Sequence, residues 1–398
     1  MSRIKLVAPN LRILHINDTL ESRGGAEAYM FNLGSVQTEE GHSVDYYGIS
    51  IERSHVKRLR ILTRIYNPFS FYGIINKIRK FNPDIIHCHM ISMAVSPSVL
   101  HAAKLMGIPI AMTVHDYQYI CPNRFFIYSD NQPCKHGFNH KCITTDCWPK
   151  DQDARYFILN IYHVLKTIVH RWGIKNTVDV FFAPSKSLAY WLKKDLKIEA
   201  VLTPLFSDLE GINPSNIEKN NKIVYMGRMD IEKGIEYLFE AMKIVEIEVP
   251  EVQLIMIGKG ELLEHYKSLV SDMGLGEIID FKGFIKREEL IETVMSAEMV
   301  VIPSFGAEMF GLVGLEASLL QRPLVLSDNF GLSERVDELK VGLLFESGNS
   351  EDLAKKILEL LQNFELVKEL SENTKDIAAH YSKNKHYELI LSEYNNII

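Results

Sequence analysis

Between two short apolar runs lies the stretch Pro303-Ser304-Phe305-Gly306-Ala307-Glu308-Met309-Phe310-Gly311-Leu312-Val313-Gly314-Leu315-Glu316. The run before it, Met299-Val300-Val301-Ile302, and the run after it, Leu324-Val325-Leu326, read as buried parallel strands, so the stretch is the loop and helix of a β-loop-α-β unit. Such a unit aims a helix N-terminus at the crevice of an open sheet. There the N–H groups of Phe310, Gly311 and Leu312, with the helix dipole, favour an anion, and Gly311 lets it come close to the backbone. Phosphate suits that chemistry. Glu308 precedes the helix and Glu316 lies about five residues inside it, roughly 7.5 Å along at ~1.5 Å per residue, so the two carboxylates bracket a ligand of nucleotide size. Spacing alone decides little. Glu232 and Glu240, and Glu240 and Glu248, repeat the interval on what reads as the solvated face of a helix.

Working outward, Lys222-Ile223-Val224-Tyr225-Met226 is a strand that runs into Gly227-Arg228, and a helix begins after Lys233-Gly234. A loop with Arg228 and Lys233 at the carboxyl end of a strand suits a diphosphate, the guanidinium binding as a planar fork and the ammonium as a point charge. Lys233 is followed by Gly, so no Walker motif is present. Val252 to Ile257 is the next strand, ending at Gly258, and Ile278 to Phe281 another, followed by Gly283-Phe284. In the first half, Arg12 to Ile16 and Ser43 to Gly48 read as strands around a helix from Ala26 to Thr38, entered through Gly24-Gly25. No G-x-G-x-x-G opens this unit, which removes the dinucleotide fingerprint. Pro83 to His89, Ile108 to Val114 and Val178 to Ser185 continue the parallel pattern. Strand carboxyl ends line the crevice of open α/β sheets, so His115, directly after its strand, is the histidine best placed for a site; His87 and His89 read as strand residues, although His89 could line an acceptor pocket.

Together these segments resemble the family-4 retaining glycosyltransferases, through E-x7-E at Glu308 and Glu316, G-R-x4-K-G at Gly227 to Gly234, T-x-H-D at Thr113 to Asp116, and the glycine-rich first loop Gly24-Gly25-Ala26-Glu27. The resemblance implies an α/β chain with two Rossmann-like doubly wound domains facing a cleft, the GT-B arrangement. Residues 1–205 would be the acceptor-side domain with a Cys-containing insertion at 121–147, residues 206–221 the linker, 222–380 the donor domain, and 381–398 a terminal helix returning to the first domain. It further implies a nucleoside-diphosphate sugar as donor and a hydroxyl of a lipid-linked or saccharide precursor as acceptor. Arg228, Lys233 and the turn at Phe310, Gly311 and Leu312 would hold the diphosphate, Gly227, Gly258 and Phe284 the nucleotide, and Glu316 the ribose. Glu308 and His115 would meet the donor sugar, and Gly25 would lie beside the diphosphate. No cofactor is required for catalysis in this reading. Two departures stand out: Met309, where a small residue or Pro is common, and Gln321, where Gly usually ends the helix. The second bears on stability more than on chemistry. A nucleotide-sugar epimerase, a non-catalytic partner of another transferase and a nucleotide-sugar sensor are the rival readings.

Composition sets the outer limits. The 398 residues, 46% hydrophobic and 24% charged, suffice for two globular domains, and a net charge of −7 argues against a nucleic-acid binder. No stretch approaches a membrane span or a signal peptide, which leads to the expectation of a cytoplasmic protein. Four of the five cysteines, Cys121, Cys134, Cys142 and Cys147, crowd together with His136 and His140. They could hold a structural zinc, remain thiols or form a disulfide, and no C-x2-C decides among these. Asp151-Gln152-Asp153 reads as a solvated turn and not as a metal-binding D-x-D. Residues 51–80 carry Arg53, Lys57, Arg58, Arg60, Arg64, Lys77, Arg79 and Lys80 against one acid, Glu52, with Tyr66, Phe69, Phe71, Tyr72, Ile74, Ile75 and Ile78 interleaved. That mixture suits peripheral contact with an anionic membrane on its cytoplasmic face, or equally a solvated helix or a site for an acceptor phosphate.

Overall fold

The computed structural model describes residues 10–21, 24–49, 63–126, 128, 134–143, 147, 154–306, 308–329 and 331–398. Residues 51–62 of the basic segment, the Asp151-Gln152-Asp153 turn and Ala307 lie outside them. Among the described residues, one compact unit holds 10–205 and 383–398, and the other holds 206–382.

The first unit is built on six parallel strands, β1 (Arg12–Ile16), β2 (Ser43–Tyr47), β3 (Ile85–Cys88), β4 (Ile110–Thr113), β5 (Val180–Ala183) and β6 (Ala200–Leu202), in the order β2-β1-β3-β4-β5-β6. β3, β4 and β5 are buried along their whole length because helices cover both faces, which is why they read as continuous apolar runs and not as alternating ones. The three-residue β6 is too short for periodicity to reveal, and the sequence reading ended this sheet one strand early. The helix Lys383–Ile397 belongs to this unit, with Ile390 and Tyr394 packed into the cluster of Leu11, Ile13, Ile85, Ala111, Val180 and Phe182.

The second unit has another six parallel strands, β7 (Lys222–Met226), β8 (Gln253–Ile257), β9 (Ile279–Gly283), β10 (Met299–Ile302), β11 (Leu324–Ser327) and β12 (Gly342–Phe345), in the order β12-β11-β10-β7-β8-β9. This is the doubly wound order whose direction reverses between β7 and β10, and ligands bind outside the carboxyl ends at such a reversal. The loop holding Arg228 and Lys233 leaves β7, and the stretch from Pro303 to Gly311 leaves β10, so the topology brings the two together. Asn363 ends the helix Ser350–Gln362 and caps the next, Phe364–His380, by accepting from the Leu366 N–H at 3.2 Å. The sequence reading stopped at that Asn and assigned no element between it and the terminal helix.

Candidate active site

β7 delivers Gly227 at its carboxyl end, and Gly258 ends β8 beside it with φ +138°; a side chain on Gly258 would sit 1.8 Å from the Gly227 carbonyl oxygen, so only glycine lets the two loops approach. The Met229 N–H donates to Lys259 O at 3.0 Å and the Tyr225 hydroxyl donates to Arg228 O at 2.6 Å, which fixes the loop that carries Arg228. The guanidinium then pairs with Asp230 and, at 2.6 Å, with Glu232. Glu232 lies in a single 3-10 turn, Ile231–Lys233, and is buried. The expectation that it belongs to a solvated helix face is thereby corrected, because the helix starts two residues after Lys233, at Ile235.

Lys233 reaches across to the β10 loop and meets Glu308 at 2.5 Å. Gly306 N–H donates to Glu232 O at 3.2 Å and Gly331 N–H to Glu308 O at 2.9 Å, so Glu308 is held by its main chain as well. Gly311 adopts φ +85° at the N-terminus of the helix Leu312–Leu319. The Phe310 ring is buried edge-on against Tyr381, with centroids 5.3 Å apart, and Met309 is buried too, so Phe310 can offer a ligand only its main chain. Glu316 is the fifth residue of the helix. It accepts from Arg287 at 3.1 Å and from the Ser207 hydroxyl at 3.5 Å, and Arg287 also pairs with Asp208. Burial raises the Glu316 carboxyl while Arg287 pulls it down. Phe284 is 76% exposed, with Lys259 6.0 Å from its ring centroid. Sequence reasoning missed Asp208, Glu232 and Arg287; the last pairs with groups 29 and 79 positions away, a distance no local pattern reports.

In the first unit, His115 follows β4 and meets His89 at 3.1 Å, with Asp116 next to it pairing with Arg124 at 2.7 Å. His15, His87 and His89 are fully buried, and so are Thr113 and Tyr394, whose hydroxyls bond the two ring nitrogens of His87. Gly25 opens the helix Gly25–Glu39, two residues before Glu27, whose carboxylate accepts from Asn17 at 3.2 Å. Asn17 and Asp18 leave β1, and the Asp18 carboxylate accepts four N–H groups, from Ser92, Met93, Ala94 and Val95, at 2.8–2.9 Å. This clamp shapes the loop after β3 at the first sheet's own reversal between β1 and β3.

Cys134 and Cys147 lie near enough to Cys121, and Cys134 to Cys142, to act electrostatically on their thiols. No disulfide joins any of the five. The Cys121 thiol donates to Asn123 at 2.8 Å and burial pushes it up to about 12, while Cys142 lies 3.7 Å from Gly137 O. Among the described residues, the three-ligand grouping of His, Cys and acidic atoms is His15, His87 and His89, not the thiols.

Residues 210–377 match the family of glycosyl transferases group 1, and residues 23–205 match glycosyltransferase family 4. An uncharacterized glycosyltransferase of Methanocaldococcus jannaschii is 31% identical over 315 residues, covering 75% of this chain and 72% of that protein. This chain belongs to the family-4, group 1 glycosyltransferases. Sucrose-phosphate synthase from Thermosynechococcus elongatus superposes with a TM-score of 0.73 at 19% identity, over 97% of this chain and 98% of that one. Anabaena HepE, solved with UDP-glucose, gives 0.68 at 16% identity over 98% and 100%. The glycosyltransferase thus has the GT-B fold, two Rossmann-like domains, and glycosyl transfer is its activity.

Proposed function

We propose that this glycosyltransferase moves a sugar, with retention at the anomeric carbon, from a nucleoside diphosphate to a hydroxyl of a lipid-linked or saccharide acceptor. One observation carries the reading: Arg228, Lys233 and the N-terminus at Gly311 are gathered at the β7/β10 reversal with Glu308 on Lys233. As the donor breaks, negative charge grows on the diphosphate, and two cations with aligned N–H groups stabilise it, the work a metal ion does elsewhere. Glu308 would then turn from Lys233 toward the sugar hydroxyls, and Glu316, braced by Arg287, would take the ribose. Phe284 offers an exposed ring for the base. The leaving phosphate accepts the proton of the attacking hydroxyl, so no protein nucleophile is needed. HepE crystallises with UDP-glucose, which makes uridine nucleotides the first donors to try.

Thermal-shift measurements with UDP, GDP, ADP and their sugars test the donor side. A ligand at 100 times its Kd stabilises the native chain by about 2.7 kcal/mol. A diphosphate and its sugar should raise the melting temperature; no response to any of them would overturn the reading. Turnover in excess EDTA is expected to persist, and loss that Mg²⁺ or Mn²⁺ restores would reject the metal-free account. Released free sugar isomer without acceptor would favour an epimerase, and binding without turnover a non-catalytic partner.

A further inference from the structure

The first sheet reverses between β1 and β3, and the loops that leave β1, β3 and β4 carry charge to its carboxyl end. Asp18 follows β1, but both of its oxygens already accept from the N–H groups of Ser92, Met93, Ala94 and Val95. Asp116 follows β4 and is engaged as well: one oxygen accepts from the Gln118 N–H at 2.9 Å, the other from Arg124 Nε and Nη2 at 3.1 and 2.7 Å. That leaves Arg124 Nη1 with the Met93 sulfur at 3.8 Å, a weak acceptor for a charged donor. The Arg124 main chain adopts φ +72°, a left-handed conformation uncommon outside glycine, so the fold holds this guanidinium in place against local strain.

The helix Ala154–Thr177 brings a second cation to the same loops. Arg171 fastens it by donating to Tyr119 O at 2.9 Å, and His170 Nε2 lies 2.8 Å from Arg64 O. Lys166 stands one turn before His170 on the same side of the helix and is half-buried. Burial, with Arg124 and Arg64, pushes its ammonium down to about 8 against the pull of Asp18 and Asp116. Since both carboxylates have their hydrogen bonds, among the described residues neither is left to pair with Lys166. Three cations therefore share two engaged acids, and a half-buried positive charge without a partner is unfavourable until an anion joins it.

We infer that Arg124, Lys166 and Arg64 form an anion site at the reversal of the first sheet, and that its guest is a phosphate ester carried by the acceptor. Resting on the transfer reading above, this gives the acceptor an anionic group held within the first unit. A phosphate monoester suits the site better than a carboxylate because it carries about two negative charges and three acceptor oxygens. It can meet Arg124 Nη1 and the Lys166 point charge together. Met93 and Phe125, exposed beside Arg124, give the ester an apolar shoulder. A lipid carrier and a soluble sugar phosphate share this chemistry.

Calorimetry with inorganic phosphate tests the site in the full chain carrying Lys233→Gln, which removes the ammonium expected to hold phosphate in the second unit. Phosphate should bind, and acetate at the same concentration should bind more weakly. Adding Lys166→Gln or Arg124→Gln should weaken phosphate by about tenfold, the loss of one charge-assisted contact. Lys166→Gln should leave the urea midpoint unchanged or raised, because no ion pair is broken; a lowered midpoint would show Lys166 already partnered and remove it from the site. No phosphate binding in the Lys233→Gln chain, equal binding of acetate, or an affinity that survives both added substitutions overturns the proposal. Hexyl phosphate separates the two sources: binding tighter than inorganic phosphate assigns the ester to a lipid carrier, equal binding to a soluble phosphate, and both uphold the site. Neither nucleoside nor sugar transfer enters these measurements, so a failed donor reading would leave the phosphate result standing, and a failed phosphate result would leave the donor site untouched.

Discussion

Lys233 meets Glu308 at 2.5 Å, so in the ligand-free chain the ammonium already has a partner, and a diphosphate must share or take it. Glu308→Gln removes the competitor while keeping the shape. Transfer should fall by a factor of ~10² or more, about 2.7 kcal/mol at the transition state, whereas calorimetry should find nucleoside-diphosphate binding kept or tightened. Weaker diphosphate binding would reverse the roles assigned to the two glutamates. Glu316→Gln should weaken nucleotide binding instead, and Arg287→Gln should do likewise, because Arg287 is what holds the Glu316 charge against burial. Equal affinity for UDP in native chain and Arg287→Gln would refute that link. Four residues of this site were legible in the sequence, Arg228, Lys233, Glu308 and Glu316, because each follows a strand end or sits near a helix start where charge has a local reason to be. Asp208, Glu232 and Arg287 were not, since their meaning lies in partners brought by folding. His15 and His87 were legible only as strand residues; their partners, Gln37 and His89 for the one and Thr113 and Tyr394 for the other, lie 22 to 307 positions away.

At the scale of elements, the helix Leu312–Leu319 ends in a turn where Gln321 takes φ +55° and the Arg322 N–H donates to Ala317 O at 2.9 Å. That is a Schellman turn with a side chain at the left-handed position where Gly is favoured. The departure noticed in the sequence thus has its cost here, and since Gln321 contributes only main-chain bonds, Gln321→Gly should raise stability by roughly 0.5–1 kcal/mol, read as a higher urea midpoint. An unchanged or lower midpoint would mean that the side chain earns its place by contacts. The strands of the first sheet predict a pH dependence. Burial depresses His15, His115 and His386 to about 4, while unfolded histidine titrates near 6.5. On acidification the unfolded chain takes up protons first, so stability is complete above pH 6.5 and declines toward pH 4, by about 1.4 kcal/mol per pH unit for each such group. Urea midpoints at pH 7.5, 6 and 5 should fall in that order, and a flat profile would show that these rings charge within the fold. Strand existence was legible from apolar runs because the sheets are covered on both faces; β6 and the helix after Asn363 escaped because one is too short for a pattern and the other begins where its neighbour stops.

The whole molecule carries a net charge of −7, yet residues 51–80 are basic, so charge is segregated along the chain. In the described part of that segment, Phe69 and Tyr72 are 71% and 67% exposed on the helix Pro68–Phe81, with Arg79 and Lys80 exposed at its end. Ile74 and Ile78 instead face the core, which removes them from any outer surface, and Lys77 is paired with Asp45 at 2.6 Å. The exposed face extends further than the segment. Tyr66 stacks on His101 at 5.7 Å, and His101 meets the edge of Trp172 at 5.2 Å on the helix Ala154–Thr177. That helix also exposes Ile158, Leu165, Ile168 and Lys175, whereas Arg171 is turned to Asp195. Among the described residues no helix is long and apolar enough to cross a membrane. A face that mixes aromatic rings with unbalanced basic charge instead suits the surface of an anionic bilayer, where each basic residue contributes about 1 kcal/mol and Trp and Tyr favour the interface. Vesicles of phosphatidylglycerol should therefore co-sediment with the protein, less so as salt rises. Binding should be lost when Lys57, Arg58, Arg60 and Arg64 become Gln, and Trp172→Ser should weaken it without changing its salt dependence, because the ring acts by partition and not by charge. Equal binding to neutral phosphatidylcholine vesicles, or binding to neither, would assign the basic segment to solvent or to a phosphate on the acceptor.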